Sequence, residues 1–267
     1  MNVCDLFKLK GKIALITGGG RGIGQSISES LAEAGADIII ASRKIGNCRE
    51  VAQRLNGLGV KTLAIRCDLG DENEIVNLVH KSMERFGRID ILVNNSGIGW
   101  VYPTLEYPID KWDKVFNVNL RGPWILTQKV AQIMKEKGGG KIIFISSIWG
   151  MRGIGENIQA SIAYNVSKGA INSLVKDLAL KLSPYKINVN GIAPGLFVSD
   201  MTEQFNKDDK KEIKRVLINC IPLGRMGDYR DVKGLVLFLA GPSSDYMTGT
   251  VIPLDGGASV SYMPTRL

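Results

Sequence analysis

Short runs of branched apolar residues alternate with helical patterns along nearly the whole chain, and this alternation limits the fold more than any other feature. The runs 12–17 (KIALIT), 37–42 (DIIIAS), 61–67, 89–94 (IDILVN), 141–147, 186–193 and 250–254 read as strands. Between them, 22–33, 47–58, 71–86, 108–137, 160–182 and 228–240 carry helical patterns. Asp71 and Glu72 suit a helix start, where carboxylates meet the positive end of the helix dipole. Gly122-Pro123 should bend the long helix over 108–137. Strands separated by helices are joined by right-handed crossovers. The expected fold is therefore α/β: a doubly wound parallel sheet of about seven strands with helices on both faces. No linker, low-complexity tract or fixed-period repeat interrupts it, and 1–267 reads as a single domain.

Composition removes several function classes. The net charge is +8, but the 34 basic residues are interleaved with 26 acids, and the densest basic stretch, 207–215, also holds Asp208, Asp209 and Glu212. A dispersed excess of this kind reads as solvated surface, with no nucleic-acid partner expected. Cys4, Cys48, Cys67 and Cys220 lie far apart, and His80 is the sole histidine. Neither a zinc site nor any other metal site is expected, and the cysteines read as reduced packing residues of a cytoplasmic protein. Residues 1–12 are too polar for a signal peptide, and no run reaches the ~18 apolar residues of a membrane span.

The segment Thr17-Gly18-Gly19-Gly20-Arg21-Gly22-Ile23-Gly24 joins the first strand to the first helix. Glycines let a backbone turn tightly and approach a pyrophosphate, and a helix N-terminus offers unpaired N–H donors. Gly18, Gly20, Arg21, Gly22, Ile23 and Gly24 thus form a candidate dinucleotide cradle, which makes the sheet Rossmann-type. An acid at the end of the second strand would favour NAD by bonding its ribose. Here Ser42 and Arg43 stand there, and the neighbouring acid, Asp37, is at the other end of the strand. Arg43, with Arg21 on the same side, can clamp a 2′-phosphate, which favours NADP(H) over NAD(H). Two solvated arginines are the bland alternative.

Tyr164 and Lys168 are four residues apart, on one face of the helix over 160–182. A neighbouring ammonium favours phenolate and should lower the Tyr164 pKa from ~10. Such a pair can protonate an alkoxide as hydride arrives, or do the reverse.

These motifs together resemble the short-chain dehydrogenase/reductases, whose cofactor turn TGxxxGIG is similar to TGGGRGIG and whose YxxxK is similar to Tyr164–Lys168. The resemblance runs from about residue 8 to 258. It implies catalytic roles for Asn119, Ser147, Tyr164 and Lys168, with Ser147 steadying the substrate oxygen and Asn119 helping to hold a water near the lysine. Ser146 is the neighbouring, less suited hydroxyl. It further implies cofactor contacts from Asp68 and Leu69 after strand three, from Asn95 and Gly97 in Asn94-Asn95-Ser96-Gly97, and from Pro194, Gly195, Phe197 and Ser199 after strand six. Tyr164 and Lys168 also belong to that set. Asp68 has a helix cap as its alternative role, and Asn119 a helix kink. Seventeen positions separate Ser147 from Tyr164, more than is common in the family, and 153–157 is expected to form the extra loop.

The resemblance implies an NADP(H)-dependent oxidoreductase interconverting a ketone and a secondary alcohol. The segment 221–257 is most similar to 3-oxoacyl-thioester (acyl-carrier-protein or CoA) reductases of that family. Sugar, polyol or gluconate dehydrogenases and steroid or cyclic-alcohol dehydrogenases are the alternatives, and a catalytically silent dinucleotide-binding regulator is the alternative of another class. Trp149, Met151 and Met201 are expected to line an apolar substrate pocket beneath a lid at 196–220. His80, mid-helix and far from every motif, reads as a surface residue. The apolar surplus in the helices over 108–137 and 160–182, as at Trp124, Ile125 and Leu126, suggests subunit contacts. The resemblance adds a homotetramer.

Overall fold

The computed structural model describes residues 2–198 and 211–261. Seven parallel strands lie in the order β3-β2-β1-β4-β5-β6-β7. They are β1 (Ile13–Thr17), β2 (Asp37–Ser42), β3 (Thr62–Arg66), β4 (Ile91–Asn94), β5 (Gly140–Ile145), β6 (Ile187–Pro194) and β7 (Val251–Leu254). The helices are α1 (Gly22–Glu33), α2 (Ile45–Asn56), α3 (Glu72–Phe86), α4 (Ile109–Phe116), α5 (Gly122–Glu136), α6 (Ile162–Leu182), α7 (Lys211–Asn219) and α8 (Asp231–Ala240).

Successive strand residues point to opposite faces, so each unbroken apolar run feeds two cores. From β1, Ile13 and Leu15 join a layer built with Leu78 of α3, Leu126 and Val130 of α5, and Val175 of α6. Ala14 and Ile16 join the opposite layer, with Leu31 of α1, Val51 of α2 and Val236 of α8. β1 pairs with both β2 and β4, which places the switch in strand order at the carboxyl end of β1. Ligands of open α/β sheets bind at such a crevice.

The helix expected over 108–137 is in fact two, α4 and α5, joined by a π-helical turn at Asn117–Arg121. The Gly122 N–H bonds to the Asn117 carbonyl, five residues back. Pro123 has no N–H to give the Asn119 carbonyl four residues before it, so the regular ladder cannot continue. The irregularity therefore precedes Gly122-Pro123, and Asn119 lies within it. The stretch expected to form a lid contains the helix α7. Residues 199–210 of that stretch, with Ser199 and Met201, lie outside the described residues, so no lid can be traced there.

Candidate active site

The glycine turn is shaped by contacts that side chains would obstruct. Gly18 has φ +67° and its N–H bonds to the Ala41 carbonyl at 2.7 Å. A Cβ at Gly24 would lie 2.2 Å from the Gly18 carbonyl oxygen and 2.4 Å from Asn95 Nδ2. A Cβ at Gly20 would lie 3.0 Å from the Cys48 backbone nitrogen. These approaches hold the turn against the start of α1, leaving the first N–H groups of the helix for an anion. Exposed Arg21 is the N-cap, in extended conformation, and Ile23 follows, half-buried. Asn95 buttresses the turn: its Nδ2 donates to the Thr17 carbonyl at 2.9 Å and to that of Gly18 at 3.2 Å. The Thr17 hydroxyl accepts from the N–H groups of Asn95 and Ser96 at 3.0 and 3.1 Å. The asparagine side chain thus braces the turn.

At the far edge of this crevice, the Ser42 hydroxyl donates to the Lys44 carbonyl at 3.1 Å and lies 3.1 Å from Cys48 Sγ. Arg43 beside it is exposed. Asp68 is not a helix cap. Asp71 has that role, accepting from the N–H groups of Asn73 and Glu74. Asp68 Oδ1 instead accepts from the Gly70 N–H at 2.9 Å, closing a tight turn after β3. Leu69 is buried there, and α5 comes so close that a Cβ at Gly122 would lie 2.2 Å from the Leu69 carbonyl oxygen.

Four side chains from three elements converge on the carboxyl ends of β4 and β5. Lys168 is only 4% exposed, its Nζ donating to the Ile145 carbonyl at 2.7 Å and lying 5.6 Å from the centroid of the Tyr164 ring. Ser147, buried at the end of β5, hydrogen-bonds the Tyr164 side chain and accepts from the Trp149 N–H at 3.2 Å. Asn119 is buried and clamps the chain after β4: Oδ1 accepts from the Ile98 N–H at 2.8 Å, and Nδ2 donates to the Ile98 carbonyl at 2.8 Å. Nδ2 also reaches Ser167 Oγ at 3.0 Å, on α6. A Cβ added at Gly97 would sit 3.4 Å from Lys168 Nζ and 3.5 Å from Asn119 Oδ1, so the segment after β4 packs directly beside both. Ser146 turns away. Its hydroxyl donates to the Lys168 carbonyl at 3.1 Å and to Asn172 Oδ1 at 2.5 Å, fastening α6 to β5.

Burial corrects one expectation. Desolvation pushes the Tyr164 hydroxyl above its usual value, with the Ser147 hydrogen bond pulling the other way. The same effect lowers Lys168 from 10.5 to about 8. Burial penalises both charged forms, and for Tyr164 it outweighs what lowers the phenol.

On the substrate side, Pro194 ends β6, and the Gly195 N–H bonds to the Leu254 carbonyl at 3.0 Å. Phe197 is buried and bridges to Gly227, where a Cβ would lie 2.8 Å from the ring. Half-buried Trp149 packs with Ile148, Leu196, Ile221 and Ala258. Met151, at 41% exposed, is not packed into that wall. The loop over 153–157 meets the segment after β4, where the Thr104 N–H donates to Glu156 Oε2 at 2.9 Å.

Residues 12–210 match the family described as short chain dehydrogenase. The chain belongs to the short-chain dehydrogenases. This dehydrogenase is 36% identical over 256 residues to a 2-dehydro-3-deoxy-D-gluconate 5-dehydrogenase of Dickeya dadantii, covering 96% of this chain and 98% of the relative. It is 38% identical over 255 residues to the rhamnolipids biosynthesis 3-oxoacyl-[acyl-carrier-protein] reductase of Pseudomonas aeruginosa, covering 94% and 97%. A crystal structure of a gluconate 5-dehydrogenase from Burkholderia cenocepacia, in complex with NADP and tartrate, superposes with a TM-score of 0.91 at 33% identity, covering 97% of this chain and all of that one. The dehydrogenase is thus an oxidoreductase acting on alcohol or keto groups.

Two features of the dehydrogenase site are not visible in its motifs: the Thr17–Asn95 buttress and the Ser146–Asn172 fastening. Thr17 stands inside the quoted turn, and its strand-end hydroxyl was the available signal. His80 is on the surface of α3, 68% exposed beside Glu84. Cys48 and Cys67 are buried, and among the described residues no cluster of His, Cys, Asp or Glu could hold a metal. No described helix is long and apolar enough to cross a membrane.

Proposed function

We propose that this chain, read as a single domain, is an NADP(H)-dependent enzyme that interconverts a ketone and a secondary alcohol in the cytoplasm. The observation that carries the reading is the grouping of Ser147, Tyr164 and Lys168 at the carboxyl end of β5. The cradle fits a dinucleotide, since Gly18, Gly20 and Gly24, where a Cβ would press on neighbouring protein atoms, let the turn pack tightly and leave the first N–H groups of α1 for an anion. When bound, that dinucleotide supplies or accepts the hydride. The Ser147 hydroxyl steadies the substrate oxygen, and Tyr164 gives it a proton or takes one. Lys168 holds positive charge beside the phenol, and Asn119 fixes the floor beneath both. The absence of an acid at Ser42 and the exposed fork of Arg43 support NADP(H) over NAD(H).

Two substrate classes share this chemistry. The wall of Trp149, Leu196 and Ile221 supports a 3-oxoacyl thioester. The guanidinium of Arg152 beside that wall supports a keto sugar acid. A spectrophotometric NADPH-oxidation screen across acetoacetyl thioesters, keto sugar acids and cyclic ketones tests the reading. Arg43→Ala should narrow the preference for NADPH over NADH by about 10- to 150-fold, the worth of a charge-assisted hydrogen bond of about 1.5–3 kcal/mol. Equal affinity of the parent protein for both cofactors would refute the phosphate site. We further propose a homotetramer, supported by an apolar groove of about 620 Å³ between α4–α5 and α6.

A further inference from the structure

Beyond Ser147 the cleft holds a cation that the chemistry above does not use. Arg152 follows the turn Ile148–Gly150, its guanidinium carbon 5.2 Å from the centroid of the Trp149 ring. Its Nη1 donates to the Ala258 carbonyl at 2.6 Å and reaches the Ser261 carbonyl at 3.4 Å, which fixes the plane of the group. Its Nε is buried and has no hydrogen-bond partner among the described residues. Nε and Nη2 form the side edge of a guanidinium, the fork that takes a carboxylate through two parallel bonds. A buried donor on a permanent cation is costly to leave without an acceptor. The acid of the adjoining loop does not meet this need: Asp255 accepts from the N–H groups of Gly257 at 3.0 Å and Ser259 at 2.6 Å.

The position of this fork relates it to the reacting group. The Trp149 N–H donates to Ser147 Oγ, so the indole under Arg152 is two residues from the hydroxyl assigned to the substrate oxygen. Trp149 packs with Leu196 after β6 and Ala258 after β7. Trp149 therefore links the Arg152 guanidinium to the Ser147 hydroxyl, among the segments that follow β5, β6 and β7. We propose that Arg152 is a specificity-determining residue that receives a carboxylate of the substrate, so the preferred substrate is a keto acid or hydroxy acid whose acid group is remote from the reacting carbon. The proposal rests on the NADP(H) ketone–alcohol reading and narrows its substrate class.

The test uses the full-length protein with NADPH and matched pairs, 5-ketogluconate, acetoacetate and levulinate each against its primary amide. At least one acid should exceed its amide in kcat/KM by about 10- to 150-fold, the worth of a charge-assisted hydrogen bond. The difference should sit mainly in KM, because the contact is made in ground state and transition state alike. R152M and R152Q should reduce the acid-to-amide ratio to within about threefold, and R152K, a point charge without the fork, should retain part of it. NADPH binding followed by fluorescence reports that each variant is folded. Equal turnover of acid and amide by the parent protein, a comparison that needs no variant, overturns the assignment of Arg152, as does a preference that survives R152M. Reduction of neutral ketones alone overturns Arg152 and leaves the proposed function standing. NADPH oxidation with none of these pairs, and with neither an acetoacetyl thioester nor a cyclic ketone, overturns both.

Discussion

Tyr164 and Lys168 sit one helical turn apart, and burial inverts the order in which they give up protons. Lys168 falls to about 8 while Tyr164 rises above its usual value. On the proposed mechanism, Tyr164→Phe keeps the ring and removes the proton donor, so kcat should fall by roughly 10²–10⁴-fold with NADPH affinity nearly intact. Steady-state kinetics beside a cofactor titration would measure both, and a variant retaining half the parent activity would sink the assignment. Lys168 also bears on stability. Between about pH 8 and the unfolded value of 10.5, the unfolded chain binds a proton that the folded chain does not. Stability contributed by this group therefore rises with pH across that window, and the full cost of burying the ammonium is present below it. Lys168→Met should abolish activity yet stabilise the fold by roughly 2 kcal/mol at pH 6, since each pKa unit is worth about 1.36 kcal/mol and the lost bond to Ile145 offsets part. The gain should fade as pH climbs past 8. Denaturant melts at pH 6 and pH 9.5 would check the sign, and identical stabilities at pH 6 would count against it. These protonation effects were not legible in the sequence, because YxxxK gives the spacing of the pair and says nothing of how little water reaches it.

At the scale of elements, β1, β2, β4 and β5 were readable because their apolar runs are buried on both faces, with little polar alternation to blur their limits. The two cores fed by Ile13-Ala14-Leu15-Ile16 are a direct expression of that pattern. The helix over 108–137 was read as one because its apolar spacing continues through the break. What interrupts it is the missing N–H of Pro123, which acts on residues before the proline. The glycine turn was legible in its residue types but not in its bracing, since Thr17 and Asn95 are far apart in sequence and meet only through the pairing of β1 with β4. Gly24→Ala tests the bracing. Its methyl would overlap the Gly18 carbonyl and the Asn95 amide. The start of α1 must then shift, and NADPH affinity should drop at least tenfold, about 1.4 kcal/mol, while far-UV dichroism stays near that of the parent. Unchanged affinity in a calorimetric titration would show that the turn tolerates the shift.

Across the whole molecule, the helices α4–α5 and α6 leave an apolar groove on one outer face, with Phe116, Leu120, Trp124 and Leu174 flanked by the Asp177–Lys181 ion pair. Of the three apolar neighbours noted in the sequence, only Trp124, 39% exposed, faces outward, while Ile125 and Leu126 belong to the core. Helical spacing explains the split, because at about 100° per residue Trp124 and Leu126 lie on opposite sides of α5. If the groove joins subunits, Trp124→Glu should convert a species of roughly four chain masses into smaller ones, as measured by multi-angle light scattering. A parent protein that runs as a monomer at micromolar concentration would dismiss the tetramer. The grip of Arg152 on the Ala258 and Ser261 carbonyls also bears on how the protein is handled in the laboratory. If Arg152 selects the substrate, an affinity tag fused behind Ser261, or a protease trimming back to Gly257, would disturb that selection while the dinucleotide cradle at the start of α1 went untouched. Preparations tagged at one terminus or the other could then disagree about what this enzyme reduces while agreeing about what it binds.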